Sequence, residues 1–356
     1  MSGRQSHNEE MKSTLSVLLA FVSLPVTAQN GSAPGVATPD YVLHIEVKTE
    51  RPHAVLGPMK TDADGKTTGS GSITLYGGSS LVQASSFSFS SDSKTLAVGS
   101  TPGTVDIWNL ETRVNVASFP ASSTVALSPD GHLLATVGRD IKLWDLTSQK
   151  VIKALPWGIG ATIWRMSFDT TGTRLLVRAN GQNDTVYDVT TGQKLSSLVN
   201  TQEARFSRDG LIAVGGNSKH IISWRTADWS QVGDLPNGPD YVTSFAVAPN
   251  KALVVVGGPN SARLIRLSTG EEVAKVGTGY TNFAAFDQAG TLIFTYSGGG
   301  AGFNVWDVTG KLLCSIKQVS GAMELSPDGN WLATSHAGGS RDVELWNIAK
   351  ILSTCR

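Results

Sequence analysis

Cysteine is nearly missing from this chain: its 356 residues hold two, Cys314 and Cys355, and no CxxC pair. That excludes a disulfide-dense scaffold and a cysteine-bound zinc module as the source of the fold. The six histidines (His7, His44, His53, His132, His220 and His336) contain no HxH or HxxxH spacing, so no pair is set to share a metal. His220 and His336 fall near corresponding turns, which alone does not make a ligand set. No G-x-S-x-G nucleophile elbow is present. Excess charge is missing as well. Lys plus Arg and Asp plus Glu are each 29, so no overall field draws in a polyanion, and nucleic acid is not expected as a partner. No apolar run reaches the ~20 residues of a membrane span.

What the chain has in abundance is glycine, 38 residues, and tight turns. The stretch LSPDGHLLATVGRDIKLWDL, residues 127–146, is a compact example. Pro129, Asp130 and Gly131 are turn formers: proline presets φ, aspartate bonds to nearby backbone, and glycine accepts positive φ. Leu133, Leu134, Ala135 and Val137 then read as a buried strand, and Ile141 to Trp144 as another beyond a second turn. The same turn recurs with its third position at 92, 130, 171, 209, 250, 289 and 328, in steps of 38 to 41 residues. A second anchor follows each turn: Trp108, Trp144, Tyr187, Trp224, Ile265, Trp306 and Trp346. Two anchors that keep step seven times mark one repeated unit of short strands.

A period near 40 with a Trp-Asp pair closing each unit resembles the WD40 repeat family, over roughly residues 72–356. The resemblance implies an all-β fold: a seven-bladed β-propeller of four-stranded antiparallel blades. It carries no activity with it. The chain departs from the family in two ways. The Gly-His dipeptide before the first strand of each blade is missing, so the Asp-His-Ser-Trp hydrogen-bond network is not expected, and apolar packing with tight turns must hold the blades. Ile265 stands where the fifth blade should have its tryptophan. DVTTGQKL, residues 188–195, looks like a repeat of quinone-dependent propeller enzymes, but there the tryptophan follows this element and here Tyr187 precedes it.

The ends read differently. From Met11, a lysine, the apolar run Leu15–Leu24, the breaker Pro25 and the small residues Val26-Thr27-Ala28 compose a secretory leader. Glu9 and Glu10 do not suit a positive leader start, so translation is expected to begin at Met11. Residues 1–28 are read as the signal peptide, 29–71 as a linker and N-terminal extension with a strand over 41–50, and 72–356 as the propeller. The mature protein is expected to start at Gln29, in a periplasm or outside the cell, as a monomer. Cys314 lies on the outer strand of the sixth blade and Cys355 in the tail, so a bridge requires the tail to bend back. Ring closure is assigned to SITLYG, residues 72–77, pairing with the strand around 342–347. The tail, 351–356, is the rival for that place, and its deletion should then cost little stability.

No catalytic constellation emerges, and neither a cofactor nor a metal site is expected. SGGGAG, residues 297–302, joins two strands and lacks the helix N-terminus of a phosphate cradle. The in-register tryptophans pack between blades, whereas Trp157, Trp164 and Trp229 break the repeat. In this fold the loops entering the first strand of each blade and those joining its second and third strands share one face. The first set contributes Trp157, Ile159, Tyr241 and Tyr280; the second contributes Arg139, Asp140, His220, Phe303, Arg341 and Asp342. Aromatics with arginine carry much of the binding energy at protein interfaces. These residues are therefore the expected contacts of a protein or peptide partner held by a non-enzymatic scaffold. The alternative is a propeller enzyme, such as a calcium-dependent lactonase or hydrolase, whose ion would need Glu203, Asp240 and Glu324 at the channel mouth.

Overall fold

Four consecutive alternating segments, joined by tight turns, pair antiparallel into one sheet six times around an axis, and a seventh sheet joins three consecutive strands to one from the N-terminal side. The computed structural model describes Tyr41–Leu43, Ile45–Lys48, Arg51–Ala54, Lys60–Thr61, Thr67–Thr68 and residues 83–354, apart from 102, 158–160, 237–240, 299–301, 317–320 and 336–342. The result is a seven-bladed β-propeller. The innermost strands of blades one to seven are Gln83–Phe89, Val125–Leu127, Ile163–Phe168, Glu203–Phe206, Ser244–Val247, Thr281–Phe286 and Met323–Leu325. The leader assigned to residues 1–28 lies outside the described residues.

The repeated turn has a common chemistry. Ser128 Oγ donates to Asp130, whose carboxylate accepts the His132 amide, while the Leu133 amide donates to Ser128 Oγ. Ser207 with Asp209 and Ser326 with Asp328 repeat the pattern. Side chains thus satisfy backbone donors that the turn would otherwise leave unpaired. Beside that turn, at the same end of the blade, the residue after the anchor does similar work in several blades. Asp145 accepts from Ser148 and Asp188 from Thr191.

Seven hydrophobic clusters among the described residues fill the seven junctions between blades. Each anchor residue packs on the preceding blade: Trp108 on blade seven, Trp224 on blade three, Trp346 on blade six. Ile265 takes the same place against blade four, so the missing tryptophan is replaced by an aliphatic side chain and the junction stays filled. The brace expected to be missing is half retained. Trp144, Trp306 and Trp346 donate through Nε1 to Thr136, Thr295 and Thr334 at 2.9, 2.9 and 3.1 Å. A threonine on the second strand supplies the acceptor without any histidine.

The ring is closed from the N-terminal side, but by another segment than expected. Tyr41–Leu43 pairs antiparallel with Val343–Leu345 and forms the outer strand of blade seven. Residues 72–77 lie outside the described residues. The tail is also unlike the expectation. Ile348–Thr354 is a helix, with Ile348 and Ile351 buried in the cluster between blades six and seven. The tail therefore contributes core, and its removal carries a cavity cost rather than little cost.

Candidate binding site at the channel mouth

The innermost strands surround a central cavity of about 690 Å³. At the end formed by the repeated turns, Arg208 reaches from blade four across to blades six and seven. Its guanidinium donates to the Gln288 and Pro327 carbonyls at 3.5 and 3.2 Å. Arg208 thus crosses that end, while Trp164, Arg165 and Glu324 line the cavity toward the opposite mouth.

Blades three and four dominate that mouth. Arg165, on the inner strand, stands opposite Arg178 on the next strand, and Asp184 opens the strand after that. Across the junction, blade four begins with Glu203, buried to 1% exposure. Arg178 and Arg205 touch the two oxygens of Glu203, and Arg165 lies 3.7 Å from it and 3.8 Å from Glu324. The Arg178 guanidinium covers the Trp164 ring at 5.1 Å, and Trp164 is 53% exposed. On the facing side, Tyr241 and Tyr280 are about half exposed and lie beside each other.

Burial shapes the charges here. It draws Arg178 down to about 10, with Asp184 pulling the other way and Arg165 reinforcing it. The enclosing walls raise Glu324 against the pull of Arg165. Burial also pushes the Asp184 carboxyl up to about 6, opposed by Arg178. Among the described residues neither oxygen of Asp184 has a hydrogen-bond partner. The hydroxyl of nearby Thr201 donates instead to the Leu198 carbonyl and accepts from the Asp184 amide.

This carboxyl sets a pH dependence of known sign. The native state binds its proton more tightly than the unfolded chain does, so stability is greatest below pH 4 with respect to this group. It falls as pH rises through 6. A shift from 3.8 to about 6 corresponds to about 3 kcal/mol at most. Asp184→Asn is expected to gain most of that above pH 7 and almost nothing at pH 4. Urea titrations of both proteins at the two pH values check this; an equal difference at both would refute the assignment.

The residues expected to contact a partner are distributed unevenly. Tyr241 and Tyr280 stand at the mouth, and Arg139 is exposed and Asp140 half-buried on the loop of blade two. Trp157 is half-buried against the cluster between blades two and three and donates Nε1 to the Ala161 carbonyl at 3.3 Å. His220 pairs with Asp234 at 2.8 Å. Phe303 is fully buried, stacked on Phe294 at 5.9 Å, and belongs to the core between blades six and seven. Ile159, Arg341, Asp342 and the acidic candidate Asp240 lie outside the described residues. Glu203 is enclosed by arginines, so a calcium ion there would have to displace guanidinium groups.

Sequence reasoning passed over Arg165, Arg178 and Arg205. A signal for Arg178 exists within the chain. Seven residues after the third turn position the repeats carry Gly99, Val137, Arg178, Gly216, Gly257, Tyr296 and Ser335. A charge appears there in blade three alone, on a strand otherwise buried.

The fold and this mouth define a seven-bladed propeller with one aromatic and arginine-rich opening. A comparison with known protein families finds no match. The chain is 29% identical over 120 residues to Pre-mRNA-processing factor 19 homolog 2 of Arabidopsis thaliana. The match covers 30% of this chain and 22% of that protein, so this chain corresponds to a small part of its relative.

Proposed function

We propose that this chain is an extracytoplasmic, non-enzymatic propeller that holds a protein or peptide partner at its open mouth. The observation that carries the reading is the exposed Trp164, held under Arg178 and facing the exposed Tyr241 and Tyr280. Amphipathic aromatics beside arginine, on a rigid scaffold and at a concave opening, are the residue types that anchor partners. The WD40-like repeat and the limited likeness to the processing factor support a protein partner. The near balance of arginines by Glu203, Glu324 and Asp184 supports a protein surface over a polyanion. Truncating Trp164, Tyr241 and Tyr280 together to alanine is expected to weaken calorimetric binding of a partner captured from the source's envelope fraction by several kcal/mol, at ~2 kcal/mol or more per anchor. Unchanged affinity in a folded variant would remove the mouth as the site.

The location rests on the leader-like residues 11–28 and on a second support. Cys314 is disulfide-bonded, and the chain's other cysteine is Cys355. Such bonds persist in oxidising compartments. N-terminal sequencing of protein recovered outside the cytoplasm is expected to begin at Gln29. Recovery of soluble cytoplasmic protein with residues 11–28 intact would overturn the location.

A further inference from the structure

We infer that the mouth selects its partner by a carboxylate, which Arg165 receives while Trp164 supports the apolar group next to it. This rests on the mouth being a peptide site and adds the chemistry of what enters it.

Of the three described arginines around Glu203, Arg165 is the one that touches neither of its oxygens directly. Arg178 and Arg205 contact Glu203 directly, and Arg205 also donates to the Ala204 carbonyl. Arg165 stands 3.7 Å from Glu203 and 3.8 Å from Glu324, beyond the 2.7–3.2 Å of an N–H···O bond. It makes no hydrogen bond to any described residue, and its side chain is 37% exposed to the cavity. A guanidinium carries five donors in a planar fork that matches a carboxylate with two parallel bonds. Two long ion contacts leave that fork empty.

The competing carboxylates are poor rivals for it. Glu203 already has two guanidinium groups, so it loses least when Arg165 turns away. Glu324 meets Arg165 only at 3.8 Å and its side chain is 38% exposed, so solvent competes for both groups. A basic side chain in the same place would face Arg165, Arg178 and Arg205 at once. Arg208 crosses the far end of the cavity, and Arg165 and Trp164 lie toward the other mouth. An entering side chain therefore meets Arg165 on the inner strand with its neighbours still at the rim. There Trp164 offers a ring fixed from behind by Arg178. The preferred ligand is an acidic residue beside an apolar one, or a chain end that presents its terminal carboxylate beside an apolar residue.

Three dye-labelled hexapeptide libraries test this on the full chain by fluorescence polarisation. The first has a central Glu and an amidated C-terminus, the second Gln at the same place and an amidated C-terminus, the third Gln with a free C-terminal carboxylate. Charge-assisted bonds of this type are worth about ten-fold or more in affinity. The Glu library, the free-carboxylate library or both should bind at least about ten-fold more tightly than the amidated Gln library, and which one does identifies the source of the carboxylate. The preference should vanish in Arg165→Gln and weaken in Arg165→Lys, which keeps the charge but not the fork. Melting curves of both variants verify that they fold. Equal binding of all three libraries overturns carboxylate selection and leaves the peptide site standing. Binding of none overturns both. A preference that survives in Arg165→Gln and Arg165→Lys shows that another residue receives the carboxylate and refutes the assignment.

Discussion

Replacing Glu203 by alanine lowers the stability of the propeller by about 3 kcal/mol, read as a fall in the urea midpoint with an unchanged slope. Glu203 is buried at the junction of blades three and four, with Arg178 and Arg205 on its oxygens and Arg165 near by. Removing one partner of a buried ion pair costs about 3–5 kcal/mol, because the remaining charge stays desolvated. The lower end applies here. Arg178 retains the attraction of Asp184, and Arg205 can turn toward the water of the cavity. Glu203→Gln keeps the shape and an acceptor oxygen, so it should lose less than the alanine variant. A loss below about 1 kcal/mol in Glu203→Ala would mean that the arginines are solvated and that the cluster organises the mouth without holding the junction.

Trp346→Ala should be the more damaging change, at about 3–5 kcal/mol. The ring is almost fully buried between blades six and seven, against Phe303, Leu332 and Ile351. Its loss leaves a cavity lined by sheets on one side and the terminal helix on the other. Neither can collapse without breaking its own hydrogen bonds. The change also strips Thr334 of its indole donor. Trp346→Phe separates the two contributions, since it keeps most of the volume and loses the donor. It should cost about 1–2 kcal/mol. Thermal melts of the three proteins decide the matter: equal melting points for Trp346→Ala and Trp346→Phe would show that the cavity is not what costs.

The architecture was legible because each blade solves the same physical problem with the same residues. A tight turn built around an aspartate or asparagine, an apolar strand and a large anchor on the next strand recur whatever else the blade contains. Even Ile265 obeys the pattern by burial, if not by identity. Ring closure was not legible in the same way. Residues 41–47 and 72–76 both alternate, and alternation says which face is buried but not which distant strand is the partner. The site was legible in part. Tyr241 and Tyr280 were assigned to loops and stand exposed there. Phe303 was assigned to a loop because the boundary of its strand was placed too late: the strand begins at Gly302 and turns the ring inward. The arginines went unread because a charge on the first or second strand of a blade has no periodic signature. Comparing repeat with repeat exposes Arg178, since a guanidinium among glycines and small residues needs a buried carboxylate to answer it.

The pairing of Tyr41–Leu43 with Val343–Leu345 joins segments from opposite ends of the chain. During synthesis the first segment exists long before its partner: at ~5–20 residues per second, the wait is on the order of tens of seconds. Throughout that interval blade one lacks its neighbour, and the early strand has no place to dock. A chain that stops short of Val343 never finishes the seventh sheet and keeps both edges available to other molecules. Two complete chains made close together could instead exchange their first strands, each finishing the other's ring and yielding a linked dimer. The clasp that makes the finished ring continuous thus also makes its assembly sensitive to crowding among newly made copies.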